Sequence, residues 1–474
     1  MKKIYLFLTV LLCIASCDRV DYGDINVNPY ASQEANVDAL LRAGTINYFT
    51  AGGRFYLSNA TLYSQYQSQT QYTDEQRYNE APGFWGNFYT SLVNLKAVAD
   101  APNTDIRGDN SNMVAIAELT SVLIWKKTTD SFGDIPYTEA LMQEENPSPA
   151  YTPQADIYAD LVARTIAAKG MLKASSFTVD ADIIYGGNIS KWRKFANSML
   201  MSLAMQMSKK DANTALSVFE SALNDPTGPI TGNADSFIFV PDTAGNVTNP
   251  WSSLRPADFD LSRTLTDAMQ GVSGGENITN NTTADNRLAK FSTGGMTGKG
   301  LVYGYGDNAG NDSDAKINTT ISSPGSDLVV FPASYTHFLI AEYFVIKQNA
   351  AQAQAFMKSG IETSYAQWGV AGGSDYATQR IADAGATFPG HARVIGEEKW
   401  IGLFPNGYAA WAEQRRTGFP ALKPSPQPLN AGTLPERFPY PNEESTINST
   451  NYAVGVKGLS PQTDNNSSKV WWNQ

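Results

Sequence analysis

Apolar residues recur at steps of three and four along most of this chain, the spacing that gathers them on one face of an α-helix. In 189–207, Trp192, Phe195, Ala196, Met199, Leu203 and Met207 form such a stripe. Thr152-Pro153 offers a cap and a first-turn proline for a helix over 153–172, striped by Ile157, Leu161, Ala168 and Leu172. The same spacing predicts helices over 36–50, 55–71, 85–100, 111–129, 211–223, 258–270, 335–349, 350–368 and 393–404. The spans 335–349 and 350–368 abut almost without a loop. Met357, Ile361, Tyr365 and Trp368 line the second, and Gly369 ends it. Repeated helix pairs of this size suggest tetratricopeptide-like stacking in a mainly α fold, although no clean repeat consensus is present.

Two long stretches break the pattern. Residues 225–257 and 271–332 are rich in Gly, Asn, Asp, Ser, Thr and Pro, and enclose short apolar runs such as Phe237-Ile238-Phe239-Val240 and Leu328-Val329-Val330-Phe331. Loops this long are usually functional or disordered, and the embedded aromatics argue for order. The tail 417–474 is similar, proline-rich and containing Trp471-Trp472.

At the start of the sequence, Lys2 and Lys3 precede an apolar run from Ile4 to Leu12, too short to span a bilayer. Ile14-Ala15-Ser16-Cys17 then matches a bacterial lipobox, whose cysteine is diacylated and becomes the first mature residue. This divides the chain into a signal peptide (1–16), a lipidated tether (17–34) and a single domain (35–474) carrying the two loop-rich insertions. Once residues 1–16 are removed, Cys17 is the one cysteine left of two, so the exported fold holds without an internal disulfide. The acidic residues after Cys17 fit display on the outer surface. No second run of 18 apolar residues exists.

Charge narrows the choices further. The formal net charge is −11, and no basic run exceeds a pair such as Lys126-Lys127 or Arg415-Arg416, which excludes counterion-driven nucleic-acid binding. Hydrolysis is the natural rival function for an exported protein. A glycosidase needs two carboxylates placed across a bond, whereas Glu397-Glu398 and Glu443-Glu444 are adjacent. No Gly-x-Ser-x-Gly elbow appears, and His337 and His391 are the only histidines. Gly294–Lys299 departs from a phosphate loop at both ends, with Thr293 before it and Gly300 where Ser or Thr belongs. Neither catalysis nor a cofactor is expected. Asp307, Asn308, Asn311, Asp312 and Asp314 form an oxygen-rich loop (307–314) that suits calcium in composition but not in spacing; solvated polarity explains it better.

Several motifs together identify a family. Asp130-Ser131-Phe132-Gly133-Asp134-Ile135-Pro136-Tyr137 follows one predicted helix. Arg415-Arg416-Thr417-Gly418-Phe419-Pro420 follows a helical stretch with Glu397, Trp400, Asn406-Gly407 and Trp411. Pro435-Glu436-Arg437-Phe438-Pro439-Tyr440-Pro441, Glu444, Asn448 and Trp471-Trp472 complete the order. Behind a lipobox, this ordered set resembles the SusD/RagB family, in its SusD-like branch, over nearly the whole chain. The resemblance implies a tetratricopeptide-type helical scaffold with irregular segments forming a ligand face. It implies an outer-membrane lipoprotein facing the cell exterior, which delivers oligosaccharides, or peptides in some members, to a SusC-like TonB-dependent transporter. A helical-repeat surface scaffold without a small ligand is the other non-enzymatic reading. Asp130, Asp134, Arg415 and Arg437 are expected to serve structure, the arginines pairing with acids such as Glu397 or Glu413.

Sugar sites combine aromatic platforms with Asp, Asn and Arg for hydroxyls. Residues 72–85 hold this mixture in the region that contributes ligand contacts in the family, which makes Tyr72, Asp74, Arg77, Tyr78, Phe84 and Trp85 the leading candidates. Trp85, with Tyr89 four residues on, also fits a helix packed inward. Tyr303 and Tyr305 alternate in a second candidate platform. The lipobox yields the first prediction: Cys17→Ser leaves the protein unlipidated and mislocalised, and mass spectrometry of the membrane-extracted wild type finds the diacyl mass on Cys17.

Overall fold

A computed structural model of the chain describes residues 36–474, apart from 102–103, 106–107, 175–177 and 307–311. The signal peptide, Cys17 and the tether lie outside the described residues, as do Asp307, Asn308 and Asn311. Residues Asp38–Gln474 make one compact unit.

The predicted helices form along their apolar stripes, and only some carry a side-chain cap: Thr152 does not cap the helix expected over 153–172, which starts at Gln154 behind Pro153. Those of two turns or more are α1 (Val37–Phe49), α2 (Arg54–Tyr63), α3 (Gly86–Ala99), α4 (Ser111–Phe132), α5 (Gln154–Met171), α6 (Ile189–Met207), α7 (Ala212–Leu223), α8 (Arg263–Gln270), α9 (Ala333–Ile346), α10 (Ala350–Trp368), α11 (Gly373–Ala384), α12 (Phe388–Gly402), α13 (Gly407–Thr417) and α14 (Ser449–Lys457). Asn188 caps α6 by accepting from Lys191 N at 3.1 Å, and Asn349 caps α10 by accepting from Gln352 N at 3.1 Å. Each accepts one of the amides a helix start leaves unpaired. Gly369 closes α10 with φ of 62°, the left-handed conformation glycine adopts without a Cβ clash. Consecutive helices pack in pairs, α4 on α5, α6 on α7, α9 on α10. Gly360 lets the last pair approach closely, since a Cβ there would sit 2.7 Å from the Phe338 ring. The fold is mainly α, with paired helices as expected.

Among the described residues, four two-stranded sheets join the segments between helices. They pair β1 (Gln67–Gln69) with β7 (Phe259–Leu261), β2 (Thr104–Asp105) with β3 (Gly108–Asp109), β4 (Ile135–Pro136) with β5 (Tyr151–Thr152), and β6 (Phe237–Phe239) with β8 (Leu328–Phe331), all antiparallel. The helix predicted over 55–71 therefore stops at Tyr63. Gln65 turns left-handed at φ 56°, and its side chain bonds to distant segments, donating to Lys423 O at 2.6 Å and accepting from Thr264 Oγ1 at the start of α8 at 3.2 Å. The helix predicted from 258 starts at Arg263, because Phe259–Leu261 is the partner strand and Ser262 is the cap of α8. Likewise α12 and α13 are separate helices, broken at Pro405 and restarted by the Asn406 cap.

The loop-rich stretches are ordered by what they bury. Phe237 packs on Phe49 and Phe195 at 5.7 and 4.6 Å between ring centres. The 435–441 segment buries Phe438 and Tyr440. Trp472 reaches back to donate to Asp130 Oδ1 at 3.1 Å, where Tyr158 also donates. The motif residues serve structure, with partners other than those expected. Arg415 donates to the backbone carbonyl of Asp130 at 2.9 Å and stacks on Trp411 at 3.7 Å. Arg437 pairs with Asp464 at 2.5 Å, and Asp134 accepts from Gln154 N at 2.8 Å. His337 is packed, its Nε2 2.9 Å from Thr231 O, and burial pushes its pKa down.

Glu397 and Glu413 belong to a buried charge network centred on α12. Arg380 bridges Glu397 and Glu398 at 2.5 and 2.9 Å, and Arg287 joins Glu398 to Asp285 at 2.7 and 2.6 Å. Lys399 binds Glu342 and Glu413 at 2.5 and 2.8 Å, and Arg416 binds the same two acids. Burial alone would raise the pKa of Glu342 and Glu413. Arg416 first and Lys399 next overcome that, and hold both below the ordinary glutamate value. A depressed folded-state pKa contributes stability that is fully present above the unfolded value, about 4.3, and is lost as pH falls through the folded one. Thermal melts at pH 7 and pH 3 are therefore expected to show a large acid loss in the wild type. Arg416→Met should be about 3–5 kcal/mol less stable at pH 7 and lose less on acidification.

Candidate functional site

The 72–85 loop runs from β1 to the start of α3 and is fixed largely by its own polar groups. Gln69 and Gln76 bond reciprocally, each backbone amide donating to the other side-chain oxygen at 2.8 and 3.1 Å. Gln76 Nε2 also donates to Tyr305 O at 2.9 Å. Arg77 Nε donates to Gln427 O at 2.8 Å, and Gly306 N donates to Gln427 Oε1 at 2.9 Å. Three segments far apart in sequence, 72–78, 303–306 and 425–429, are thereby stitched into one surface. Gly304 permits the junction: its φ is 81°, and a Cβ would lie 2.8 Å from Ser425 Cα.

The loop separates the aromatic candidates by exposure. Tyr72 is 58% exposed and Phe84 49%. The Arg54 guanidinium lies 4.9 Å from the Tyr72 ring centre, within cation–π range, and is itself steadied by Glu75 at 3.3 Å and Asp258 at 3.5 Å. Burial pushes the Glu75 carboxyl up, against the pull of Arg54. Phe84 meets Tyr56, on the same helix as Arg54, edge-on at 6.0 Å. Asp74 is exposed, 3.7 Å from Arg77 Nη1. Tyr305 is half-buried beside them.

The remaining aromatic candidates have no open face. Tyr78 is 0% exposed; its hydroxyl accepts from Ser425 N at 3.1 Å, and Asn466 Nδ2 donates to its carbonyl at 3.1 Å. Tyr303 is buried against it, ring centres 6.4 Å apart. Trp85 caps α3 from inside, among Tyr89, Phe132, Tyr440 and Tyr151 at 5.1–6.3 Å. These three rings are buried and pack the loop from beneath. Tyr78, Trp85 and Tyr303, expected as candidate platforms, thus lie in the core and present no open ring to a sugar.

Arg54 and Gln427 were not picked out by the sequence. Arg54 lies outside the aromatic-rich stretch, and Gln427 sits in a proline-rich segment 350 positions from Arg77; no local pattern marks either. In the oxygen-rich loop, Asp312 is paired with Arg263 at 2.8 Å and with Lys299, and Asp314 accepts from Lys299 N at 2.5 Å. Among the described residues no cluster of three His, Cys, Asp or Glu side chains is arranged to hold a metal. Glu444 is engaged by Tyr151 at 2.8 Å.

The fold has counterparts. A family model described as "Starch-binding associating with outer membrane", in the SusD-like group, matches residues 29–441. A chitin-binding SusD homologue from Flavobacterium johnsoniae superposes with a TM-score of 0.77 at 23% identity, covering 92% of this chain and 98% of the other. A SusD homologue from Parabacteroides distasonis gives 0.78 at 20% identity, with 92% and 97% covered. One from Bacteroides uniformis gives 0.74 at 23%, with 92% and 98% covered. No curated protein sequence matches the chain. Among the described residues, no helix is long and apolar enough to cross a membrane.

The two classes of aromatic make opposite predictions for stability. Trp85→Ala should cost about 3–5 kcal/mol, as for a ring removed from a packed core. Tyr72→Ala should cost less than about 1 kcal/mol, within the usual range for surface changes. Denaturant melts of the two variants check this.

Proposed function

The chain belongs to the SusD-like family, and from that premise we propose that it is an outer-membrane nutrient-binding lipoprotein that takes up an oligosaccharide at the 72–85 face. The observation that carries this reading is the exposed Tyr72 ring backed by Arg54, with Asp74 and Arg77 alongside on a loop already held in place. An aromatic face excludes water from the C–H side of a sugar ring, while the neighbouring acid and guanidinium groups exchange hydrogen bonds with its hydroxyls. A loop ordered before binding loses little further entropy on binding. Phe84 is a second exposed ring of the loop, and Tyr305 is half-buried on the segment that Gln76 holds against it. The family, and a chitin-binding homologue among its structural relatives, support a glycan ligand.

In this reading Cys17 carries the anchor, the ligand face looks to the cell exterior, and a SusC-like TonB-dependent transporter receives the sugar. The protein performs no chemistry on its cargo. The adjacent acid pairs support that: Glu397 and Glu398 are tied up in buried ion pairs, and Glu444 is bonded to Tyr151.

Stacking on Tyr72 buries about 60–80 Å² of apolar area, which at about 25 cal/mol per Å² contributes roughly 1.5–2 kcal/mol. Calorimetry of the protein without its signal peptide, against a panel of oligosaccharides including chito-oligosaccharides, should find at least one ligand, recovered intact afterwards. Tyr72→Ala should weaken that ligand about ten- to thirtyfold while melting close to the wild type, with Arg77→Ala also weaker. Undiminished affinity in both variants would remove the site from this face; absence of any glycan ligand would remove the glycan reading itself.

A further inference from the structure

Two consecutive lysines on α4 have opposite surroundings. Lys126 Nζ reaches Asp130 Oδ2 at 2.7 Å, one turn along the helix. Lys127 Nζ lies instead among aromatic faces, 3.9 Å from the ring centre of Tyr408, 4.9 Å from Phe88 and 5.2 Å from Tyr48. Among the described residues it has no acid partner. Three rings stabilise a cation through their quadrupoles, but they do not neutralise it. Burial accordingly pulls the ammonium down to about 7.

Lys127 also lines a cavity of about 140 Å³ between α1, α2, α4, α6, α9 and α13. Most of its wall is apolar or aromatic, including Tyr48, Tyr56, Met199, Trp251, Phe331 and Tyr408. The other charged groups on the wall are already matched: Lys126 with Asp130, and Glu413 with Lys399 and Arg416. The cavity thus has one surplus positive charge and an otherwise greasy interior. An apolar cavity of about 150 Å³ accommodates benzene.

We propose that this cavity is a second ligand site, for a small apolar monocarboxylate of about the size of butyrate or benzoate. The carboxylate pairs with the Lys127 ammonium, and the hydrocarbon lies against Tyr48, Tyr56 and Trp251. The site is distinct from the 72–85 face, although Tyr56, which lines the cavity, also meets Phe84. A single negative charge supplies the partner Lys127 lacks, whereas a dianion or a polyhydroxylated sugar would bring polar groups that this wall cannot satisfy.

The test compares benzoate with benzyl alcohol, its neutral counterpart of similar size, by calorimetry and thermal shift on wild type and Lys127→Met. Benzoate should bind the wild type saturably and raise its melting temperature, with benzyl alcohol at least about tenfold weaker. Lys127→Met keeps roughly the side-chain length and removes a half-buried charge that has no acid partner among the described residues, so it should melt no earlier than the wild type and lose benzoate at least about tenfold. Equal benzoate affinity in both proteins, or no saturable binding by the wild type up to about 10 mM butyrate or benzoate, would overturn the proposal. If Lys127→Met does not fold, benzoate-soaked crystals of the wild type decide. Ring density beside Lys127 supports the site, and an empty cavity at saturating benzoate rules it out.

Discussion

Three successive charged residues, Glu397, Glu398 and Lys399, sit wholly inside the protein on α12. Successive helix positions are about 100° apart, so these side chains leave the helix in three directions. Each direction must then end on a partner, since an unmatched charge in the interior is among the costliest things a fold can contain. Glu397 finds Arg380 on α11 and Arg393 on its own helix. Glu398 finds Arg380 again and Arg287, from the loop-rich stretch. Lys399 finds Glu342 on α9 and Glu413 on α13. One helix thereby dictates the position of three others and of a long irregular segment. Apolar residues of the same volume would pack as tightly, but they would accept many neighbours; this arrangement accepts one set.

The charged centre also explains why part of the fold was readable and part was not. α6 and α10 carry a cap residue and an apolar stripe that agree, and both were legible to the residue. α11 was missed because its buried face is Tyr376, Ala377, Arg380 and Ala384, with an arginine where a stripe would show a hydrophobe. The strand Gln67–Gln69 carries only Gln and Ser, all buried, so no alternation announced it. Motif residues were rightly assigned to structure, but their partners come from across the chain and no local rule names them.

The candidate site divides along similar lines. Composition located the loop, yet could not tell Tyr72 from Tyr78, six positions apart with the same side chain and the same left-handed backbone, φ 56° and 68°. What separates them is supplied by distant segments: Ser425 and Asn466 enclose Tyr78, while Arg54 covers only part of Tyr72. Trp85 was ambiguous for the same reason, since the rings around it arrive from 132, 151 and 440. A recognition surface assembled from remote pieces shows its composition in sequence, but not which of its members face outward.

Asp130 waits for partners that are made much later. The hydrogen bond from Trp472 spans 342 positions, and the Arg415 guanidinium that holds the Asp130 backbone arrives only 285 positions later. At about 5–20 residues per second, a growing chain carries an unfinished Asp130 turn for roughly 20–70 s before the indole that completes it has been made. Throughout that interval α4 packs against α3 and α5 but lacks the cover that Trp472 and the 435–441 segment later provide. Completion of this domain is therefore a late event in the life of the polypeptide, and an interval in which a holding chaperone has something to protect.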